Sequence, residues 1–160
     1  MDTEILNKAK YYCARAERSP RNLRLFLMRR EVPYEEIDAY LSLLEEGRYY
    51  SPQRYAESYA RTRYRDMSHG PRKIRQALRM QEVPTEIIDA VLPEIIEEEP
   101  NYSLAELLES KLRRTSARTP RALFDKMMRY GVGRGYQASE VYEALQTVLQ
   151  KLREEEDDEE

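Results

Sequence analysis

Residues 19–41, SPRNLRLFLMRREVPYEEIDAYL, return without a gap at residues 70–92 as GPRKIRQALRMQEVPTEIIDAVL. Of these 23 positions 12 are identical at an offset of 51 residues, among them Pro20 with Pro71, Glu31-Val32-Pro33 with Glu82-Val83-Pro84, and Ile37-Asp38-Ala39 with Ile88-Asp89-Ala90. A match of this kind identifies a repeated structural unit. Ser19 and Gly70 each stand before a proline, the order of a cap residue followed by proline at the first helical position, where its missing N–H removes no hydrogen bond. Leu23 with Leu27, and Ile74 with Leu78, are spaced i to i+4, so each helix presents one apolar stripe. Val32-Pro33 and Val83-Pro84 interrupt the pattern and start a further helix, with stripes Ile37, Leu41, Leu44 and Ile88, Leu92, Ile95.

A third, weaker copy begins at Thr119-Pro120-Arg121, with Leu123 and Met127 in the places of Leu23 and Leu27. Gly131-Val132 then corresponds to Glu31-Val32, and residues 133–139 read as a loop lengthened by about four residues before Val141 and Leu145, since a longer surface loop adds little closure entropy. The first helices of the second and third units open at Ser51-Pro52 and at Ser103, where Glu106 completes a capping box. Each unit is thus three helices, with boundaries at 1–49, 50–99 and 100–153, followed by an acidic tail at 154–160. Short helices are marginal alone and must bury their stripes against neighbours. The expected fold is all-α: three tandem three-helix repeats, helix-turn-helix-like units forming an elongated curved array.

Composition agrees with helices: 36% of residues are charged, five are glycine and none is tryptophan. The net charge of -3 hides a tail, residues 154–160, that is wholly acidic; without it 27 basic residues face 23 acidic ones. The body is mildly basic, and the tail, with nothing apolar to bury, is expected to be disordered. Cys13 is alone, so neither a disulfide framework nor a cysteine zinc site is indicated. No stretch approaches the roughly 20 apolar residues of a bilayer span, and no secretory signal opens the chain, which makes the cytoplasm the expected compartment. The single histidine, His69, reads as a solvated loop residue. The glycines of Gly131-Val132-Gly133-Arg134-Gly135 follow a helix, the wrong order for a phosphate cradle, and read as a capped helix-to-helix connection. Carboxylates such as Glu35-Glu36 and Glu97-Glu98-Glu99 are distributed as helix faces. No catalytic group, metal site or cofactor is indicated, and the chain is not read as an enzyme.

Binding is better supported. Between residues 54 and 79, Arg54, Arg61, Arg63, Arg65, Arg72, Lys73, Arg75 and Arg79 face only Glu57 and Asp66, a local charge of +6. Arg72, Arg75 and Arg79 repeat at i, i+3 and i+7 and share a helix face beside the buried stripe. Arg21, Arg72 and Arg121 recur at one position of all three units, and Arg24 matches Arg75. The candidate partner-binding residues are therefore Arg72, Lys73, Arg75 and Arg79, extended by Arg21, Arg24, Arg121, Arg61 and Arg65, facing phosphates or an acidic protein surface. Thirteen tyrosines leave stacking on single-stranded bases open. Tyr55 and Tyr59, spaced i to i+4, read instead as a packed core stripe, while Tyr49 and Tyr50 suit either role.

The run Leu44-Glu45-Glu46-Gly47-Arg48-Tyr49, continued by Arg54-Tyr55-Ala56, Tyr59 and Gly70-Pro71-Arg72-Lys73-Ile74-Arg75-Gln76-Ala77-Leu78, resembles the central signature of RecX regulatory proteins. The resemblance runs from about Ala9 to Leu149. Ser51-Pro52 stands where that family usually has an acidic pair, and Tyr55 where it has phenylalanine; serine keeps the capping role, but any partner contact made by the acidic pair is not carried over. The resemblance implies a protein that binds the groove of the filament formed by RecA recombinase on single-stranded DNA, bridges neighbouring protomers and limits filament growth, ATP hydrolysis and strand exchange; a monomer is expected. Direct binding of single- or double-stranded DNA by the same arginines is the competing reading.

Overall fold

The computed structural model describes residues 1–98 and 104–159, and within them all regular structure is helical. Three triplets follow one another: α1 (Thr3–Arg15), α2 (Pro20–Met28) and α3 (Tyr34–Glu46); α4 (Pro52–Met67), α5 (Pro71–Met80) and α6 (Thr85–Glu98); α7 (Leu104–Arg113), α8 (Pro120–Gly133) and α9 (Ala138–Glu159). The helix starts follow the cap-then-proline rule. Ser19 Oγ accepts from Asn22 N–H in a reciprocal capping box, Thr119 Oγ1 accepts from Ala122 N–H, and Ser51 Oγ accepts from Arg54 N–H at 3.1 Å. The expected cap at Ser103 lies outside the described residues, as does Glu99.

The core stripes sit where the periodicity places them. Leu23, Leu27, Ile37 and Leu44 are fully buried in the first triplet, as are Ile74, Leu78 and Ile88 in the second. In the third, Leu108, Met127, Val141 and Leu145 form the centre, with Leu123 only partly buried against it. Leu123 is less enclosed because the start of its helix is open: Thr119 and Pro120 are exposed, whereas Ser19, Pro20 and Gly70 are buried.

Three readings of the sequence are corrected. The third unit's extra residues are not a longer loop but a longer helix: α8 has 14 residues where α2 has 9 and α5 has 10. All three middle helices end in the same turn. A left-handed residue, Glu31 (φ 62), Glu82 (φ 63) or Gly135 (φ 102), is followed by an N–H that reaches five residues back, Val32 to Leu27 O, Val83 to Leu78 O and Tyr136 to Gly131 O. Gly135, not Gly131, is thus the equivalent of Glu31, and the inserted four residues add about one helical turn, which preserves the buried face. Gly131 stays inside the helix beneath Val141, where an added Cβ would lie 2.5 Å from Val141 Cγ1.

Second, Tyr55 and Tyr59 are not core. The buried face of α4 is Ala56, Ala60 and Tyr64, and the two tyrosines flank it, half-buried and stacked on each other at 5.9 Å. Tyr50 is buried and Tyr49 exposed. Third, the acidic tail is helical: α9 continues through residues 154–159. Extending a helix already nucleated by the packed Val141, Leu145 and Val148 gains one hydrogen bond per residue, and Glu155 pairs with Arg113 at 3.5 Å.

The chain divides into two compact units, residues 1–60 with 75–94, and residues 61–74 with 95–160. The division passes through all three helices of the middle triplet, so each unit holds one complete terminal triplet and part of the central one.

Candidate partner-binding surface

The basic residues singled out in the sequence separate into two groups. Arg24 on α2 pairs with Asp38 on α3 at 3.5 Å, and the repeat-equivalent Arg75 on α5 pairs with Asp89 on α6. These ions clasp a middle helix to the third helix of its own triplet. In the last triplet the same two positions are Phe124 and Tyr142, whose rings meet edge-to-face at 5.9 Å. One cross-helix contact is therefore made twice with charge and once with aromatic rings, which marks Arg24 and Arg75 as parts of the scaffold. Arg24 is further occupied by Glu82, 3.7 Å from its Nε.

Arg72, Lys73 and Arg79 form the other group. All three are exposed on α5, and among the described residues their side chains make no ion pair or hydrogen bond. Arg72 and Arg79 are separated by seven residues, about 10.5 Å along the helix axis. Arg61 pairs with Glu98 at 3.2 Å and Arg65 with Asp66 at 2.9 Å. Arg121 is almost fully exposed beside Asp125, and Arg21 reaches the Met80 carbonyl. The free positive charge of the proposed surface is thus concentrated on the outer face of α5.

Both ends of α5 also join repeats. In the first compact unit, Arg21 N–H donates to Gln81 O at 3.2 Å, and Ser19 Oγ donates to Gln81 Oε1 at 2.8 Å. In the second, Gly70 N–H donates to Arg134 O at 2.7 Å and Arg72 N–H to Gly135 O at 3.1 Å. The start of one middle helix seats on the final turn of the next. The second joint is so close that a Cβ on Gly70 would lie 2.4 Å from the Gly135 backbone, and one on Gly135 would lie 2.5 Å from Lys73 Cβ. His69 is buried in this joint rather than solvated. Burial, then the positive charges of Lys73, Arg134 and Arg63, push its imidazole down to about 4, so it is neutral at physiological pH. Its backbone N–H donates to Arg63 O at 3.0 Å. Among the described residues no cluster of His, Cys, Asp or Glu could hold a metal ion, and no helix is long and apolar enough to cross a membrane.

Residues 53–92, which carry this face and its cross-helix clasp, match the family model for RecX, second three-helix domain. The regulatory protein RecX of Thermus thermophilus is 37% identical over 97 residues, covering 61% of this chain and 65% of that one. The chain is similar to the RecX family. The regulatory protein RecX of Lactococcus lactis subsp. cremoris is 28% identical over 134 residues, covering 82% of this chain and 50% of the relative, so the chain spans about half the length of that curated RecX protein. The crystal structure of RecX from Lactobacillus salivarius superposes with a TM-score of 0.79 at 19% identity, over 91% of this chain and 95% of that one, a likeness of fold. The RecX relatives are named regulatory proteins, and the three-helix description of the family model agrees with the triplets seen here.

An aromatic stack joins the first two helices. Tyr12 of α1 stacks on Phe26 of α2, with centroids 4.5 Å apart and planes 13° from parallel, while Arg18 lies 3.8 Å from the Tyr12 centroid and Arg30 3.5 Å from that of Phe26. The separation of 14 positions from Tyr12 to Phe26 gives no periodic signal, so only the helix packing brings the rings together.

Proposed function

We propose that this chain regulates a recombinase by contact: it binds the filament of RecA on single-stranded DNA and limits filament growth, ATP hydrolysis and strand exchange. Similarity to the RecX family carries this reading. The exposed row Arg72, Lys73 and Arg79 supports it, because unpaired cations on a scaffold of packed repeats suit a surface built of phosphates and acidic side chains. The scaffold arginines Arg24 and Arg75 serve the fold in this reading, and Arg21, Arg61, Arg65 and Arg121 contribute at the margins. Action is by occupancy, needs no cofactor and takes place in the cytoplasm, where RecA and the chromosome meet.

The test is RecA ATPase and strand exchange with wild-type protein and with the triple variant Arg72→Glu, Lys73→Glu, Arg79→Glu, which leaves the Arg75–Asp89 clasp intact. A folded variant that inhibits fully sinks the proposed face. Direct DNA binding is separated by titrating the wild type onto DNA without RecA: a steep salt-dependent affinity that accounts for the inhibition would favour the nucleic-acid reading.

A further inference from the structure

We propose that the groove between the outer face of α1 and the C-terminal end of α2 is a docking site for an acidic peptide segment carrying an apolar side chain. The groove, about 630 Å³, is walled by Tyr11, Tyr12, Arg15, Phe26 and Arg30, with Lys8 at its edge. It lies wholly within the first compact unit and on the side of α1 away from its buried residues Ala9 and Cys13. Tyr11 is 68% exposed, a large apolar surface at the mouth.

The fold does not require this arrangement. In the second triplet the positions equivalent to Tyr12 and Phe26 are Arg63 and Ala77, at the same offset of 51 residues, yet α4 and α5 form as α1 and α2 do. The first triplet thus holds an aromatic and guanidinium stack that its repeat manages without.

The chemistry of the occupant follows from which surfaces are free. Stacking of a nucleobase needs an open ring face. Tyr12 and Phe26 each have one face on the other ring and the second covered by Arg18 or Arg30. They offer the groove their edges, which suit an apolar side chain in an edge-on contact. The formal charges around the groove are Lys8, Arg15 and Arg30 against Glu4 alone, and Glu4 is already paired with Lys8 at 3.5 Å. Arg30 donates one N–H to the Phe26 carbonyl at 3.0 Å, which fixes its guanidinium over the ring and leaves its other N–H groups, with those of Arg15, to meet carboxylates. This site is separate from the α5 face and does not rest on the recombinase reading.

The experiment measures fluorescence anisotropy with the whole chain and three labelled probes: a peptide of Asp and Glu around one Phe, the same peptide with Phe replaced by Ser, and an oligothymidine. The Phe-containing peptide is expected to bind most tightly, with the Ser peptide weaker by roughly tenfold for the lost apolar burial. The double variant Arg15→Glu, Arg30→Glu should weaken the Phe peptide by at least about tenfold. Tyr11→Ala, which removes only an exposed side chain, should weaken it while leaving the melting curve unchanged, so the outcome does not depend on how the double variant folds. Absence of peptide binding, equal binding of the Phe and Ser peptides, indifference to Tyr11→Ala, or tighter oligothymidine binding lost in the same variants would each overturn the proposal.

Discussion

Glycine at 70 and 135 is a requirement of close backbone approach, because a methyl group at either position meets main-chain atoms or Lys73 at 2.4 to 2.9 Å with no flexible end to move aside. Gly70→Ala is expected to destabilise by about 1–3 kcal/mol, lowering the melting temperature by roughly 2–10 °C, whereas Gly133→Ala, with nothing near its Cβ, should not destabilise. A Gly70→Ala protein that melts like wild type would refute the tight joint. His69, in the same joint, sets an acid limit. Its imidazole is lowered from 6.5 to about 4 in the folded chain. The neutral form's contribution to stability is therefore whole above about 6.5 and is lost as pH falls toward about 4, because the unfolded chain takes up the proton first. His69→Gln should flatten the stability-versus-pH curve in that window relative to wild type; parallel curves would show that His69 titrates normally. Cys13, its thiol pushed up to about 11 by burial, should resist alkylation at neutral pH until the chain unfolds.

At the scale of elements, the clasp between middle and third helices is the most informative device. Arg75 and Asp89 are partly solvated, so breaking the pair with Arg75→Ala is expected to change stability by only about 0–1 kcal/mol. Phe124→Ala removes a half-buried ring and its edge-to-face partner and should do more, about 2 kcal/mol. Denaturant unfolding of the two variants checks the ranking, and an Arg75→Ala loss larger than that of Phe124→Ala would mean the ion pair carries the clasp by itself. The comparison also separates fold from function: Arg75→Ala should leave filament inhibition largely intact, while the Arg72, Lys73, Arg79 charge reversal should abolish it with little change in melting.

For the whole molecule, the acidic end of α9 bears on where a mildly basic body binds. Six consecutive carboxylates, residues 154–159, sit on the last turns of a helix, where the backbone dipole is already negative. We expect them to fray first on heating and to repel phosphates at long range. Removing residues 154–160 should raise affinity for DNA at low ionic strength, with the difference fading as the Debye length shrinks toward about 3 Å at 1 M salt. A truncated chain with an unchanged salt titration would remove the tail from the mechanism.

Legible in the residues alone were the repeat, the caps at Ser19, Ser51 and Thr119, the stripes from Leu23 to Leu145 and the likeness to the RecX family. These are written in local periodicity and in residues whose backbone preferences act within one turn. Features that depend on distant neighbours came from packing. Four extra residues could lengthen a loop or a helix equally well by count, and packing of Gly131 under Val141 selected the helix. Arg72 and Arg75 are indistinguishable by charge and spacing, but only Arg75 faces an Asp89 lying 14 residues away. His69 was legible as a loop residue, yet it is buried where its neighbour Gly70 docks on Arg134, more than 60 residues on. The Tyr12 and Phe26 stack belongs to the same class: each ring's place on its own helix was readable, and their meeting was set by how the two helices pack.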